Sequence, residues 1–310
     1  MNKNTKRILF IILLAVVIFV AADWALDLAM MRGVNNYYGL NQNSDVLLIG
    51  HSHLMLATDK QRLEKETGLK VSKYCREGVN VTDRETMIDH FLHNGHADSL
   101  KTVLYGVDLY TFTGSGLSKN SYQLFYPFID NADVDKYLRK EASPTDYWLH
   151  KLVRSTRFNN DGLKNSVWRG WADNWDNFKT NTLDAEAYGK RIAKNGAQRP
   201  ELNDTLISTF KRSVDNLTKR GVKVVLVNTP TIDILNKATG EDYERVMNVY
   251  REMADKNPLI DFWDFNPKYA GDHSIFSDAI HLNTKGQEIV TTELIERLNN
   301  QKSKHPRNID

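Results

Sequence analysis

A single cysteine, Cys75, in a chain of 310 residues excludes an internal disulfide and any fold that depends on one. Alone it reads as a small, partly buried hydrophobe, with a reactive thiol as the alternative. Charge of one sign is also scarce: 41 basic residues meet 39 acidic ones, for a net charge of +2. The basic residues are interspersed with acidic ones, so they form no stripe for a phosphate backbone, and nucleic acid is not an expected partner. No internal repeat and no low-complexity segment occurs. What remains is a chain long enough to bury a large core, as one domain with insertions or as two small ones.

Long apolar runs are nearly absent too, with one exception at the N-terminus. Lys3, Lys6 and Arg7 precede an uninterrupted stretch from Ile8 to Ala22. Basic before apolar is the positive-inside arrangement, which keeps the N-terminus cytoplasmic and exports the rest. The run is shorter than the ~20 residues that span a bilayer. Trp24 to Met31 continues it, with Asp23 and Asp27 toward the outer interface. Val20-Ala21-Ala22 also reads as a signal-peptidase site, but apolar character persists beyond it, which favours an uncleaved signal anchor. The expected organisation is a cytoplasmic stub and transmembrane anchor over residues 1–32, a globular domain over 33–300 and a disordered tail over 301–310. The protein would then be a single-pass protein of the cytoplasmic (inner) membrane, its domain facing the periplasm or exterior.

Past a polar connector from Arg32 to Ser44, apolar β-rich runs alternate with helical patterns. Val46 to Ile49, Leu69 to Tyr74, Lys101 to Val107, Val222 to Val227 and Leu259 to Trp263 read as strands. Between them lie a helix through Leu63 to Glu66 that Thr58 can cap, one starting near Asp83, one over Leu202 to Lys219, and one over Glu241 to Asp255. A last amphipathic helix runs from Gln287 to Leu298. Such alternation predicts an α/β fold, a three-layer α/β/α sandwich around a mostly parallel five-stranded sheet. Residues 109–200 break the pattern. They are rich in aromatics, among them Trp168, Trp171 and Trp175, and offer only short helices such as Asp133 to Lys140 and Tyr147 to Arg154. A structureless loop of that length is improbable in a compact domain, so the stretch reads as an insertion forming a lid beside the site. The alternative is that its aromatics pack the insertion onto the sheet.

Two stretches carry chemistry. Asp45 to His53 is a short buried strand, stopped by Gly50 and followed by His51-Ser52-His53. A serine there emerges at the carboxyl end of a sheet, where ligands bind, but it needs a base to become a nucleophile. Near the other end, Asp278 and His281 stand three apart just before the last helix, close enough for the carboxylate to orient the imidazole. Each residue also has a plainer reading: Ser52 as a helix cap, His281 as a capping or packing histidine, Asp278 as an Asx-turn residue.

In this order and at this separation, the two stretches resemble the first and last sequence blocks of the SGNH (GDSL-like) hydrolases. The resemblance implies a flavodoxin-like sandwich and a triad of Ser52, His281 and Asp278. It also implies an oxyanion hole made from the Ser52 backbone N–H, a glycine after strand two, which Gly78 matches, and an asparagine after strand three. This chain has Asp108 at that last position, and His51 in place of the aspartate of the Gly-Asp-Ser pattern. An ionised carboxylate donates no hydrogen bond, so Asp108 would repel an oxyanion unless turned away or protonated. Divergent, membrane-anchored SGNH-like proteins of alginate O-acetylation and of D-alanyl transfer to teichoic acid are similar in keeping the Ser and Asp-x-x-His while relaxing the middle blocks. The implied activity is that of an esterase or O-acyltransferase on an acylated cell-envelope glycan, with no cofactor and with a membrane-bound acyltransferase as a candidate partner. The alternative is an inactive module that binds or scaffolds a polysaccharide or such an acyltransferase. His53, Trp168, Trp171 and Trp175 are candidate substrate contacts. His51 and His53 leave the strand at alternate positions and invite a metal reading, with Asp278 or His281 completing it, but no further cluster at suitable spacing supports one.

Overall fold

Three apolar runs, within 46–50, 102–107 and 223–228, are short enough to be strands and uniform enough to be covered on both faces, and two mixed runs, 71–75 and 260–264, flank them. The computed structural model, which describes residues 2–114 and 120–304, forms them as β1 (Val46–Gly50), β2 (Val71–Cys75), β3 (Thr102–Val107), β4 (Lys223–Asn228) and β5 (Ile260–Asp264). All pairs are parallel, in the order β2-β1-β3-β4-β5. Every residue of β1 and β2 is buried, whereas in edge strand β5 only Ile260 and Trp263 are.

The chain divides into two compact units. One comprises Tyr38–Ser121 and Trp175–Asp310; the other comprises Met1–Tyr37 and Tyr122–Asn174. The second unit begins with helix α1 (Lys3–Tyr38), which is long and apolar enough to cross a membrane. The α/β unit then builds α2 (Ser52–Ala57), α3 (Lys60–Thr67) and α4 (Val81–Leu92). In the unit of α1 follow α5 (Ala132–Glu141), α6 (Pro144–Leu152) and α7 (Asp161–Trp171). The α/β unit resumes with α8 (Ala185–Asn195), α9 (Asp204–Lys219), α10 (Asp233–Thr239), α11 (Glu241–Lys256), α12 (Asn266–Tyr269) and α13 (Thr284–Lys304). Helices α4 and α9 pack as one pair against the sheet, and α3 and α13 as another.

Four expectations change. The anchor boundary at residue 32 and the connector after it are helical, since α1 runs to Tyr38. The insertion at 109–200 is not one element: 122–174 groups with α1, and Phe125, Tyr126, Phe128 and Phe158 within it are buried. Asp59, not Thr58, caps α3, its carboxylate accepting the Arg62 N–H at 3.0 Å. The tail is helical through Lys304, and the expectation for residues 305–310 lies outside the described residues.

Within the unit of α1, close helix approach rests on two glycines. A Cβ on Gly170 of α7 would stand 1.8 Å from the Gly33 carbonyl oxygen of α1. Asp23 accepts the N–H groups of Arg154 and Ser155, both at 2.8 Å, and the Arg154 guanidinium donates to Asp27 at 2.8 Å. Buried Arg157 donates to Asp130 at 2.9 Å and to the His150 carbonyl at 2.8 Å.

Candidate active site

In a sheet ordered 2-1-3-4-5, the connections from β1 and β3 leave in opposite directions and open a crevice at their carboxyl ends. Ser52 follows β1 at this point and Asp108 follows β3. Both strands carry a glycine here. A Cβ on Gly106 would stand 2.9 Å from the Leu54 Cβ, and one on Gly50 would stand 3.1 Å from it. Their absence lets α2 settle onto the strand ends. His51 is the N-cap of α2, its Nδ1 accepting the His53 N–H at 3.1 Å. The capping role therefore falls to His51, and the Ser52 hydroxyl is left for another partner.

That partner is His281. An antiparallel bridge between Phe276 and Leu282 folds the intervening residues into a turn, closed by the Ser277 N–H donating to the His281 carbonyl at 2.9 Å. Asp278 Oδ1 accepts the N–H groups of Ile280 and His281 at 3.1 and 3.0 Å, so the Asx-turn reading holds as well. Its Oδ2 lies 2.8 Å from His281 Nδ1, and His281 Nε2 lies 2.7 Å from Ser52 Oγ. Helix α13 is tied to α2 by Gln287, which donates to the Leu56 carbonyl at 2.7 Å, and by Thr291, which donates to the Ala57 carbonyl at 3.3 Å. Burial would raise the Asp278 pKa, but the hydrogen bond with His281 and that imidazole's charge outweigh it and hold the carboxyl well below its ordinary range. Asp278 is thus ionised at neutral pH and favours a proton on His281 Nδ1, with the lone pair of Nε2 toward Ser52.

Asp108 is turned away from the position the resemblance assigned to it. Its Oδ2 meets His51 Nε2 and lies 3.4 Å from His53 Nδ1, its Oδ1 accepts the Tyr110 N–H, and its own N–H donates to Thr111 Oγ1 at 2.9 Å. The Asp108 carbonyl accepts the Tyr250 hydroxyl at 2.8 Å. Neither its side chain nor its backbone N–H is left to donate to an oxyanion. Burial would raise its pKa, but His51 and His53, with the Arg84 guanidinium behind them, hold it well below the carboxylate range. Arg84 itself donates to the Gly106 carbonyl at 2.7 Å. Burial lowers the pKa of both histidines, that of His53 well below 6.5, so both are neutral at pH 7. His51, His53 and Asp108 bring three ligand-type atoms within 4.8 Å of one another. Because His51 Nδ1 accepts the His53 N–H, the neutral ring carries its proton on Nε2 and offers Asp108 a donor. A metal ion would need the lone pair there.

Gly78 lies in the turn between β2 and α4 with φ 73°. Of the candidate substrate contacts, His53 meets His281 edge to face, ring centroids 5.1 Å apart. Trp175 belongs to the α/β unit, with the Lys60 ammonium 4.5 Å from its ring. Trp168 and Trp171 belong to the unit of α1. Sequence reasoning passed over Lys179, whose ammonium stands 3.2 Å from Asp278 Oδ2, and Asn181, which donates to the Ser277 carbonyl at 2.8 Å. Both lie in irregular chain before α8, where no periodicity marks them. The joining of His51 and His53 to Asp108 was within reach, because a β1–β3 pairing puts the ends of those two strands side by side.

No protein-family model and no curated protein matches the chain. Among solved structures, a Bacteroides fragilis protein assigned as an acylhydrolase is similar at 10% identity over 83% of this chain and 86% of that one, with a TM-score of 0.41. The C-terminal catalytic domain of a Streptococcus pneumoniae peptidoglycan O-acetyltransferase is similar at 14% identity over 84% and 96%, with a TM-score of 0.39. A lipase from a goat rumen metagenome is similar at 11% identity over 80% and 94%, with a TM-score of 0.33. Likenesses this distant name no substrate for this chain.

Proposed function

We propose that the protein is a membrane-anchored serine esterase or O-acyltransferase that acts on acyl esters of a cell-envelope glycan through Ser52, His281 and Asp278. The observation that carries this reading is the hydrogen-bonded line from Ser52 Oγ to His281 at 2.7 Å and from His281 to Asp278 at 2.8 Å. A serine hydroxyl is a weak nucleophile until a base takes its proton. Here Nε2 receives it as Oγ attacks the acyl carbonyl carbon, and Asp278 stabilises the imidazolium that forms. Collapse of the tetrahedral intermediate breaks the bond to the glycan oxygen, which leaves with the proton from Nε2. Water or a second hydroxyl then gives its proton to Nε2 and attacks the acyl-serine, which separates hydrolysis from transfer.

The developing oxyanion needs donors, each worth roughly 2.7–4 kcal/mol in a site that excludes water. The first N–H groups of a helix have no acceptor inside it, and Ser52 is the first residue of α2. Its N–H and that of Gly78 are the donors in this reading. Asp108, paired with His51 and His53, need not oppose the charge. The glycan follows from the outward orientation that Lys3, Lys6 and Arg7 favour, since acylated envelope polymers lie on that side. The test is acyl release from an O-acetylated envelope glycan by the purified full-length protein. Turnover that disappears in Ser52→Ala supports the reading. Absence of turnover with any acyl ester would favour a module that binds a polysaccharide or a membrane acyltransferase.

A further inference from the structure

Helix α6 is amphipathic the wrong way round for a helix in water. Its buried side carries Tyr147 and His150, while Trp148, Leu149 and Leu152 are 52%, 44% and 73% exposed. At spacings of one, three and four, these three residues share one face. A surface helix normally turns such a face inward.

The position of this face relative to α1 identifies what covers it. Immediately after α6, the Arg154 and Ser155 N–H groups are held by Asp23, and the Arg154 guanidinium lies over the Trp24 ring at 3.8 Å. Asp23 is the first residue after the apolar run from Ile8 to Ala22. Leu152 is two residues from Arg154, hence within about 7 Å of it along the chain. The exposed face of α6 is therefore held at the level where the apolar segment ends. That segment supplies 15 residues, about 22 Å of helix, against a hydrocarbon thickness of about 30 Å. Beyond Asp23 the apolar surface of α1 continues through exposed Trp24, Leu26 and Leu28, while the two carboxylates are buried, Asp23 accepting the Arg154 and Ser155 backbone N–H groups and Asp27 paired with the Arg154 guanidinium.

We propose that the Trp148, Leu149 and Leu152 face of α6 lies in the outer interface of the bilayer that α1 crosses, so that the unit of α1 is both anchored in the membrane and seated on it. This rests on the reading of α1 as a membrane-spanning anchor. Tryptophan and leucine on one face of a helix parallel to the membrane are suited to the boundary between headgroups and acyl chains.

The test is spin-label accessibility in the full-length protein, reconstituted in nanodiscs of phosphatidylethanolamine and phosphatidylglycerol. Labels are placed singly at Leu149→Cys and Leu152→Cys, with Val16→Cys as the bilayer reference and Lys140→Cys, whose side chain is 75% exposed, as the aqueous one. Native Cys75 is buried, with its thiol pushed up to about 12, and stays unlabelled. The expected result is a ratio of oxygen to nickel-chelate accessibility at 149 and 152 severalfold above that at 140, approaching that at 16. A ratio equal to that at 140, with 16 still in lipid, overturns the seat and leaves the anchor intact. Labels at 149 and 152 shielded from both reagents would mean cover by protein, and would overturn it too. If 16 itself is accessible to the nickel chelate, the anchor reading fails and the seat fails with it.

Discussion

His281 Nε2 stands 2.7 Å from Ser52 Oγ although 229 positions of sequence separate the two residues. Neither residue's own element could hold that distance. It is held because α13, which follows His281, is tied through Gln287 and Thr291 to the last carbonyls of α2, which begins with Ser52. Behind them the ends of β1 and β3 are joined by His51 and Asp108.

Asp278 and Lys179 form an ion pair, but the two residues should matter very differently. Asp278→Asn removes the charge that sets the His281 tautomer, and kcat for an acyl ester should fall ~10⁴-fold. The side chains of Lys179 and Asp278 are 36% and 43% exposed, so their pairing is worth less than ~1 kcal/mol. Lys179→Met should therefore change kcat by no more than about fivefold. Steady-state kinetics of the two variants with one chromogenic acetate ester check the difference.

Gly106→Ala should damage the site without touching a reacting atom. The new Cβ meets the Leu54 Cβ at 2.9 Å, which pushes α2, and Ser52 with it, off the strand ends. Overpacking of this kind costs typically 1–3 kcal/mol. Urea unfolding should show a loss in that range, and kcat should fall more than KM rises.

Acidification should destabilise the fold through the buried histidines before the carboxylates respond. Burial holds the His53 pKa well below 6.5 in the fold, and His51 is lowered as well. The unfolded chain takes up these protons near its ordinary value of about 6.5, so it binds more protons than the fold and stability declines as pH drops from about 6.5 toward 5. Asp108 and Asp278 are depressed in the fold, so their contribution is complete above about 3.9 and is lost only below it. Urea midpoints between pH 5 and 7 should fall with acid in the wild type. His53→Asn should flatten that slope, and Asp278→Asn should leave it unchanged.

Gly170→Ala puts a Cβ 1.8 Å from the backbone oxygen of Gly33, where no side chain can move aside. Helices α1 and α7 must separate, and residues 122–174 should become cleavable at protease concentrations that leave the wild type intact.

The three central strands, β1, β3 and β4, were legible because each is a nearly continuous apolar run, and a buried parallel sheet demands that pattern. The serine and the Asp-x-x-His turn could be read because each sits where such a run or the last helix begins or ends. Helix α7 was hidden by Gly162 and Gly170, which look like breakers; Gly170 serves close packing against Gly33. Only Tyr188 of α8 is buried, so that helix presented too weak a stripe to see. The association of 122–174 with α1 depends on Arg154 meeting Asp23 across 131 positions, which no local pattern encodes. Asp108 looked like a defect when read alone, because its partners His51 and His53 follow the end of another strand and only the β1–β3 pairing brings them beside it.

The central claim is that Ser52 is a nucleophile activated by His281, and covalent trapping tests it most directly. The full-length protein, treated with an alkyl fluorophosphonate and digested, should carry one adduct, on the peptide containing Ser52. Both Ser52→Ala and His281→Ala should abolish it while keeping the wild-type thermal midpoint. An adduct that persists in folded Ser52→Ala, or the absence of any adduct on the folded wild-type protein, would contradict the claim.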